Sequence, residues 1–123
     1  MSTNPKDLVG EKKTPYVFVP KVAIALMARV MELGAAKYGP YNWRENDVKY
    51  TVYIDAARRH LDLLEHGEDL DAESKASHAA HVMACMGIVL DAAASGNLID
   101  NRHKDAGVLR VLHELNGEQA DEL

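Results

Sequence analysis

The chain has little of what would staple a fold together. Among 123 residues there is one cysteine, Cys85, one tryptophan and one phenylalanine. A lone cysteine excludes an internal disulfide framework and a multi-cysteine zinc site. Only four prolines occur, and Pro5, Pro15 and Pro20 fall in the first twenty residues. Long apolar runs are also missing. The longest charge-free stretch is Ala76–Leu90, fifteen residues that include His78 and His81. A membrane span needs about twenty mostly apolar residues, so none is expected. The polar N-terminus lacks the apolar segment of a signal peptide, and the expectation is a cytoplasmic chain. Strand-like alternation, internal repeats and low-complexity segments are absent as well.

What is present describes a globular protein. Apolar residues make up 47% and charged residues 27%, too apolar for disorder. The length fits one domain over residues 1–123. The net charge of −5 is unevenly spread. Residues 1–60 carry ten Lys/Arg against six Asp/Glu, a balance of +4. Residues 61–123 carry four against thirteen, a balance of −9. A duplex-DNA binder shows a dominant basic face, and this chain does not. A basic half beside an acidic half suits phosphates held by Lys/Arg and Mg²⁺ held by carboxylates.

The spacing of apolar residues predicts an all-α bundle of three main helices and a short C-terminal one. Residues 1–20 read as an extended arm, with Tyr16–Val19 apolar enough to pack on a partner subunit. Pro20 opens the first main helix, which carries Val22, Leu26, Val30 and Leu33 and runs to about Lys37. Gly39-Pro40 ends it, and Lys37–Arg44 is an aromatic, cationic loop. Asn46 or Asp47 caps a second helix, roughly Tyr50–His66, which Gly67 ends. Asp71 caps a third, apolar nearly all round, which reaches about Ala94. Ser95-Gly96-Asn97 stops it. A helix over Gly107–Leu115 precedes a polar tail, residues 116–123. The apolar faces are too large for so small a monomer, so a homo-oligomer, dimer or tetramer, is expected.

The second and third helices form a hairpin. With its turn centred near Asp69, opposed residue numbers sum to about 138. His60 then faces His78, and His81 lies near Ala57, one turn from Asp55. His78 and His81 share a face, three residues apart. Asp55, Arg59, His60, His78 and His81 can therefore converge between two helices, where bundles keep their cofactors. Histidines there can ligate metal, bind phosphate or move protons; they can equally be buried and bonded to one another. Cys85 can join a His/His/Cys zinc site or simply pack. Glu68 and Asp71 head the densest acidic cluster, suited to Mg²⁺. In the Lys37–Arg44 loop, Tyr38, Tyr41 or Trp43 can stack on a base. Asn42 can read a purine edge in two directions, and Lys37 and Arg44 can reach phosphates.

These residues resemble a known family. Asn4–Leu8, Gly34–Asn46, Arg59-His60-Leu61, Gly67-Glu68, Glu73-Ser74, His78-x-x-His81 and Gly96–Asp100 occur in order along residues 4–101. The set is similar to the phage-encoded dATP/dGTP diphosphohydrolases, the MazZ-like group of MazG-related all-α nucleotide pyrophosphohydrolases. The resemblance implies a helical oligomer that uses Mg²⁺ or Mn²⁺ to cleave a deoxypurine triphosphate to monophosphate and pyrophosphate. One departure stands out. The wider MazG-type pattern places Glu-x-x-Glu on one helix and Glu-x-x-Asp on the next. Here Asp62-x-x-Glu65 is followed by His78-x-x-His81, and another register keeps only Glu32 and Asp55.

The expected assignment follows. Asp55, Glu68 and Asp71 hold metal, with His78 and His81 completing its shell or orienting the attacking water. Lys37, Tyr38, Asn42, Trp43, Arg44, Arg59 and His60 hold the nucleotide. The alternative is a helical module that binds a nucleotide or a protein and does no chemistry.

Overall fold

A computed structural model describes residues 3–118 and is all-α, with six helices and one minimal strand pair among the described residues. The expected extended arm contains a helix, α1 (Pro5–Gly10). Its signals are local: the Asn4 side chain accepts from the Lys6 amide at 2.9 Å, and Pro5 needs no N–H in the first turn. Helix α2 (Lys21–Tyr38) starts behind Pro20 as expected and ends at Gly39, whose φ of +94° suits glycine. Lys37 and Tyr38 are thus its last turn rather than loop. Helix α3 (Asn42–Glu45) occupies the remainder of the predicted loop.

Strand β1 (Val48–Lys49) pairs in parallel with β2 (Leu98–Ile99), two residues each, too short to leave an alternating pattern in the sequence. Helix α4 (Tyr50–Glu65) follows β1 directly. Neither Asn46 nor Asp47 caps it. The cap comes from fifty residues away: Asn101 accepts the Thr51 amide at 3.0 Å and donates to the Thr51 hydroxyl at 2.8 Å. The acidic turn then differs from expectation. Asp71 accepts the Ser74 amide at 3.0 Å, but it caps a single turn, not the third main helix. Lys75 takes a left-handed conformation, φ +62°, which breaks the run. A bridge between Leu70 and Ser77 closes the loop at its base. Helix α5 (His78–Ser95) begins there, capped by Ser77, and Gly96 at φ +82° ends it.

Helix α5 is the hub. Helices α2, α3 and α4 all pack on it, and the core cluster joins Val30 of α2 to Ala80 and Ala84, flanked by Met27 and Met31. Small residues bring the helices close: a Cβ on Gly87 would meet the Met27 methyl. By length and composition α5 is apolar enough to cross a membrane, with a mean hydropathy of 1.3 over 18 residues. It is not buried on every side, since Leu90 is 73% exposed. Helix α6 (Ala106–Leu115), capped by Asp105, leaves Val108, Leu109, Leu112 and Leu115 exposed. The predicted polar tail lies partly outside the described residues.

Candidate functional site

A cleft of about 680 Å³ opens between the C-terminal half of α2, α3, the inner face of α4, the 71–77 turn and α5. That volume lies in the range of small-molecule sites. Its lining includes Lys37, Tyr38, Asn42 and Trp43 as well as His60, Asp71, Ser74 and His81.

The hairpin register brings the histidines together as predicted. His60 Nδ1 lies 2.8 Å from His78 Nδ1, and the His60 ring stacks on His81 with centroids 4.3 Å apart. His78 is fully buried, and its other nitrogen, Nε2, lies 2.6 Å from Glu68 Oε2. A carboxylate can only accept, so His78 carries its proton on Nε2 when neutral. Its Nδ1 is then an acceptor, and His60 donates to it from Nδ1. The relay Glu68–His78–His60 leaves His60 Nε2 with a free lone pair. Ser74 orders the third imidazole. Its hydroxyl oxygen accepts from the Ala76 amide at 3.2 Å and forms a hydrogen bond with His81 Nε2 at 2.8 Å.

Burial biases His60 and His81 toward their neutral forms. Burial pushes the His60 pKa below its ordinary value, with His81 and His78 adding to the effect. Burial also lowers His81, partly opposed by Asp71. The Ser74 backbone amide is the main reason that the Asp71 carboxyl titrates low. The shifts thus favour neutral His60 and His81 beside an ionised Asp71.

His60, Asp71 and His78 each present a ligand atom within 4.8 Å of the others. The two Nδ1 atoms could face a cation only with the His60 proton moved to Nε2, so a bound ion and the His60–His78 hydrogen bond are alternatives. Two imidazoles and a carboxylate suit Mn²⁺ better than Mg²⁺, which prefers oxygen. Glu68 stands behind His78, in the place of a carboxylate that orients a metal-bound histidine.

Other expected residues are placed differently. Asp55 and Arg59 are exposed on α4, outside the cleft lining. Arg44 is turned onto α5 in a bidentate pair with Asp91, at 2.7 and 3.0 Å. Trp43 Nε1 donates to the same carboxylate at 2.5 Å. Cys85 lines the cleft but is not among the clustered ligands, and burial raises its thiol pKa. Lys37 lies 3.5 Å from Glu73.

Sequence reasoning missed Asp91 and gave Ser74 no role. Asp91 sits among alanines and carries no local motif. Ser74 had a signal, since Asp71-x-x-Ser74 is the spacing of an Asp side chain that accepts a backbone amide three residues on.

The class defined so far is an all-α chain with an imidazole–carboxylate cluster bordering an open cleft. The chain belongs to the dATP/dGTP diphosphohydrolase, N-terminal family, whose model matches residues 3–102. It is 42% identical over 55 residues to a dATP/dGTP diphosphohydrolase of Salmonella phage PMBT28. That match covers 45% of this chain and 18% of the relative, so the matched stretch spans under a fifth of that protein's length. No solved structure matches the chain.

Proposed function

We propose that this chain hydrolyses a deoxypurine nucleoside triphosphate, dGTP or dATP, to the monophosphate and pyrophosphate with a divalent cation, Mn²⁺ before Mg²⁺. The observation that carries the reading is the His60–Asp71–His78 cluster, of which His60 and Asp71 line the cleft. A bound cation would supply positive charge against the phosphates and make a water easier to deprotonate. His60, His78 and Asp71 would hold it. Glu68 fixes the His78 tautomer through Nε2. Ser74 bonds to His81 Nε2 and holds that ring beside His60. On the same lining Tyr38 and Trp43 offer flat faces to a purine, and Asn42 offers a polar edge. Lys37 is the cation on the cleft lining and reaches the phosphates by exchanging its Glu73 partner for them. Asp55, Arg44 and Arg59 take no part in this reading.

The same reading includes self-association and a cytoplasmic place of work. The supporting observation is the apolar surface: Tyr16, Val17, Phe18, Val22 and Leu90 are each more than 70% exposed. Sedimentation at micromolar concentration is expected to give a dimer or tetramer mass; a monomer mass would remove this part.

The activity is tested by product analysis. Each dNTP and NTP is incubated with Mn²⁺, Mg²⁺ or EDTA, and nucleotides, pyrophosphate and orthophosphate are resolved. Cation-dependent monophosphate plus pyrophosphate is expected, lost in His60→Ala and Asp71→Ala. Nucleoside plus triphosphate would replace the mechanism, and no turnover would leave a binding module.

A further inference from the structure

Helix α3 is too short to hold itself in place. It has four residues, and Tyr41 before it takes a left-handed φ of +59°. An isolated single turn is not stable in water. Two side chains, one near the end of α5 and one just beyond it, fasten α3 instead. Asp91 Oδ2 accepts from Trp43 Nε1 at 2.5 Å and from Arg44 Nε at 2.7 Å, and its Oδ1 accepts from Arg44 Nη2 at 3.0 Å. The Asn97 side-chain amide donates to the main-chain oxygens of Trp43 and Arg44.

The same side chains close a ring. The Arg44 guanidinium lies over the Tyr41 ring, 5.0 Å from its centroid, and Tyr41 tilts against Trp43 with centroids 5.8 Å apart. Trp43 is therefore held at its nitrogen by Asp91 and along its ring by Tyr41. Of these residues Trp43 is on the cleft lining, whereas Tyr41, Arg44, Asp91 and Asn97 lie outside it. The clamp sits behind the indole and acts on a ligand only through it.

A side chain that must be ordered on binding weakens binding, and one ordered beforehand does not. A bare carboxylate near the cleft would also repel a polyphosphate, and the bidentate Arg44 offsets that charge. We propose that Asp91 is a positioning residue for nucleotide binding: through Trp43 it preorganises the aromatic wall of the cleft, and Arg44 serves the site by holding and neutralising Asp91. The inference rests on the proposed nucleotide site and adds to it a residue from outside the cleft. It does not depend on which base is bound.

The test separates KM from kcat for dGTP with Mn²⁺. Asp91→Ala should raise KM by about five- to tenfold, the effect of ordering freed side chains on binding. Its kcat should change little, because the imidazole–carboxylate cluster is untouched. The direction also discriminates between roles for Arg44. Asp91→Ala releases that guanidinium, so an arginine held in reserve for phosphate would make KM fall. Asp91→Asn keeps an oxygen for the indole N–H and should recover part of the loss. Trp43→Phe has no N–H to place, so adding Asp91→Ala to it should change KM little. An unchanged or lower KM in Asp91→Ala, an equal loss in kcat, or the full KM increase in the Trp43→Phe background would overturn the inference while leaving the hydrolase intact. Should wild type turn over no triphosphate, the proposed activity fails, and quenching of Trp43, the only tryptophan, by dGMP still decides. Quenching that Asp91→Ala weakens sustains the inference, and equal or absent quenching ends it. Far-UV dichroism of each variant separates these outcomes from misfolding.

Discussion

Removing the Glu68 carboxylate tests the centre most directly. His78 is fully buried and gives its Nε2 proton to Glu68 at 2.6 Å. A buried donor stripped of its acceptor costs about 1–3 kcal/mol. Where a variant falls in that range depends on water. The Glu68 side chain is 43% exposed, so in Glu68→Ala a water can enter and take the proton. The loss then sits near the lower limit, about 1 kcal/mol. Glu68→Leu fills the same space and excludes water, so the loss moves toward about 3 kcal/mol. For a chain of this size, 1 kcal/mol corresponds to about 4 °C in Tm. The alanine variant should therefore melt about 4 °C lower, and the leucine variant about 10 °C lower. A second readout separates packing from orientation. Loss of a carboxylate behind a ligating histidine costs about 10- to 100-fold in metal affinity. Mn²⁺ affinity, read by electron paramagnetic resonance, should fall by that factor in both variants and less in Glu68→Gln, which keeps a neutral acceptor. Unchanged melting and unchanged Mn²⁺ affinity in both Ala and Leu variants would refute the relay.

Three further outcomes are expected. The Asp91 carboxyl is held down to about 2, first by Arg44 and then by Trp43; its contribution to stability is complete above the unfolded value near 3.8 and is lost as pH falls through about 2. Trp43 emission should accordingly stay unchanged down to pH 4, and Asp91→Ala should red-shift it at neutral pH. His60 and His81 have pKa values lowered by burial, so the unfolded chain takes up protons first. Stability should be flat above about pH 6.5 and decline as the pH drops below it, until the folded rings protonate; denaturant midpoints that hold steady from pH 7 to 5 would contradict this. Asn101→Ala removes the distant cap of α4 and should cost about 1 kcal/mol, with Asn101→Asp recovering most of it in thermal melts.

The parts of this fold that were legible in sequence are those set by local spacing. Helix α2 could be read from Pro20 to Gly39 because both ends carry their own signals. The pairing of His60 with His78 followed from a short turn and helical periodicity alone. The origin of α5 did not, because Asp71 is a good cap in either setting. What decides is the left-handed Lys75 and the Leu70–Ser77 bridge, which a linear pattern does not display. Asn4-Pro5 carried a helix start that Pro15 and Pro20 nearby obscured. Arg44 was read as a phosphate ligand because its partner, Asp91, lies 47 residues away on another helix. Charge patterns name the groups that can bind an anion, and only the tertiary fold says which are already taken.

The 71–77 turn carries a final consequence. Asp71 and Ser74 belong to neither helix; they sit on a loop pinched at its base by the Leu70–Ser77 bridge and by the His78 amide donating to Asp69 at 2.9 Å. The centre is thus assembled from two chemically separate supplies: imidazoles from a stiff helical frame, and a carboxylate and a hydroxyl from an insert. Such an insert can be lengthened, shortened or recoded without disturbing how the frame packs. The frame preserves the architecture, and the loop is where the cluster's ligand set can be changed with the fewest substitutions.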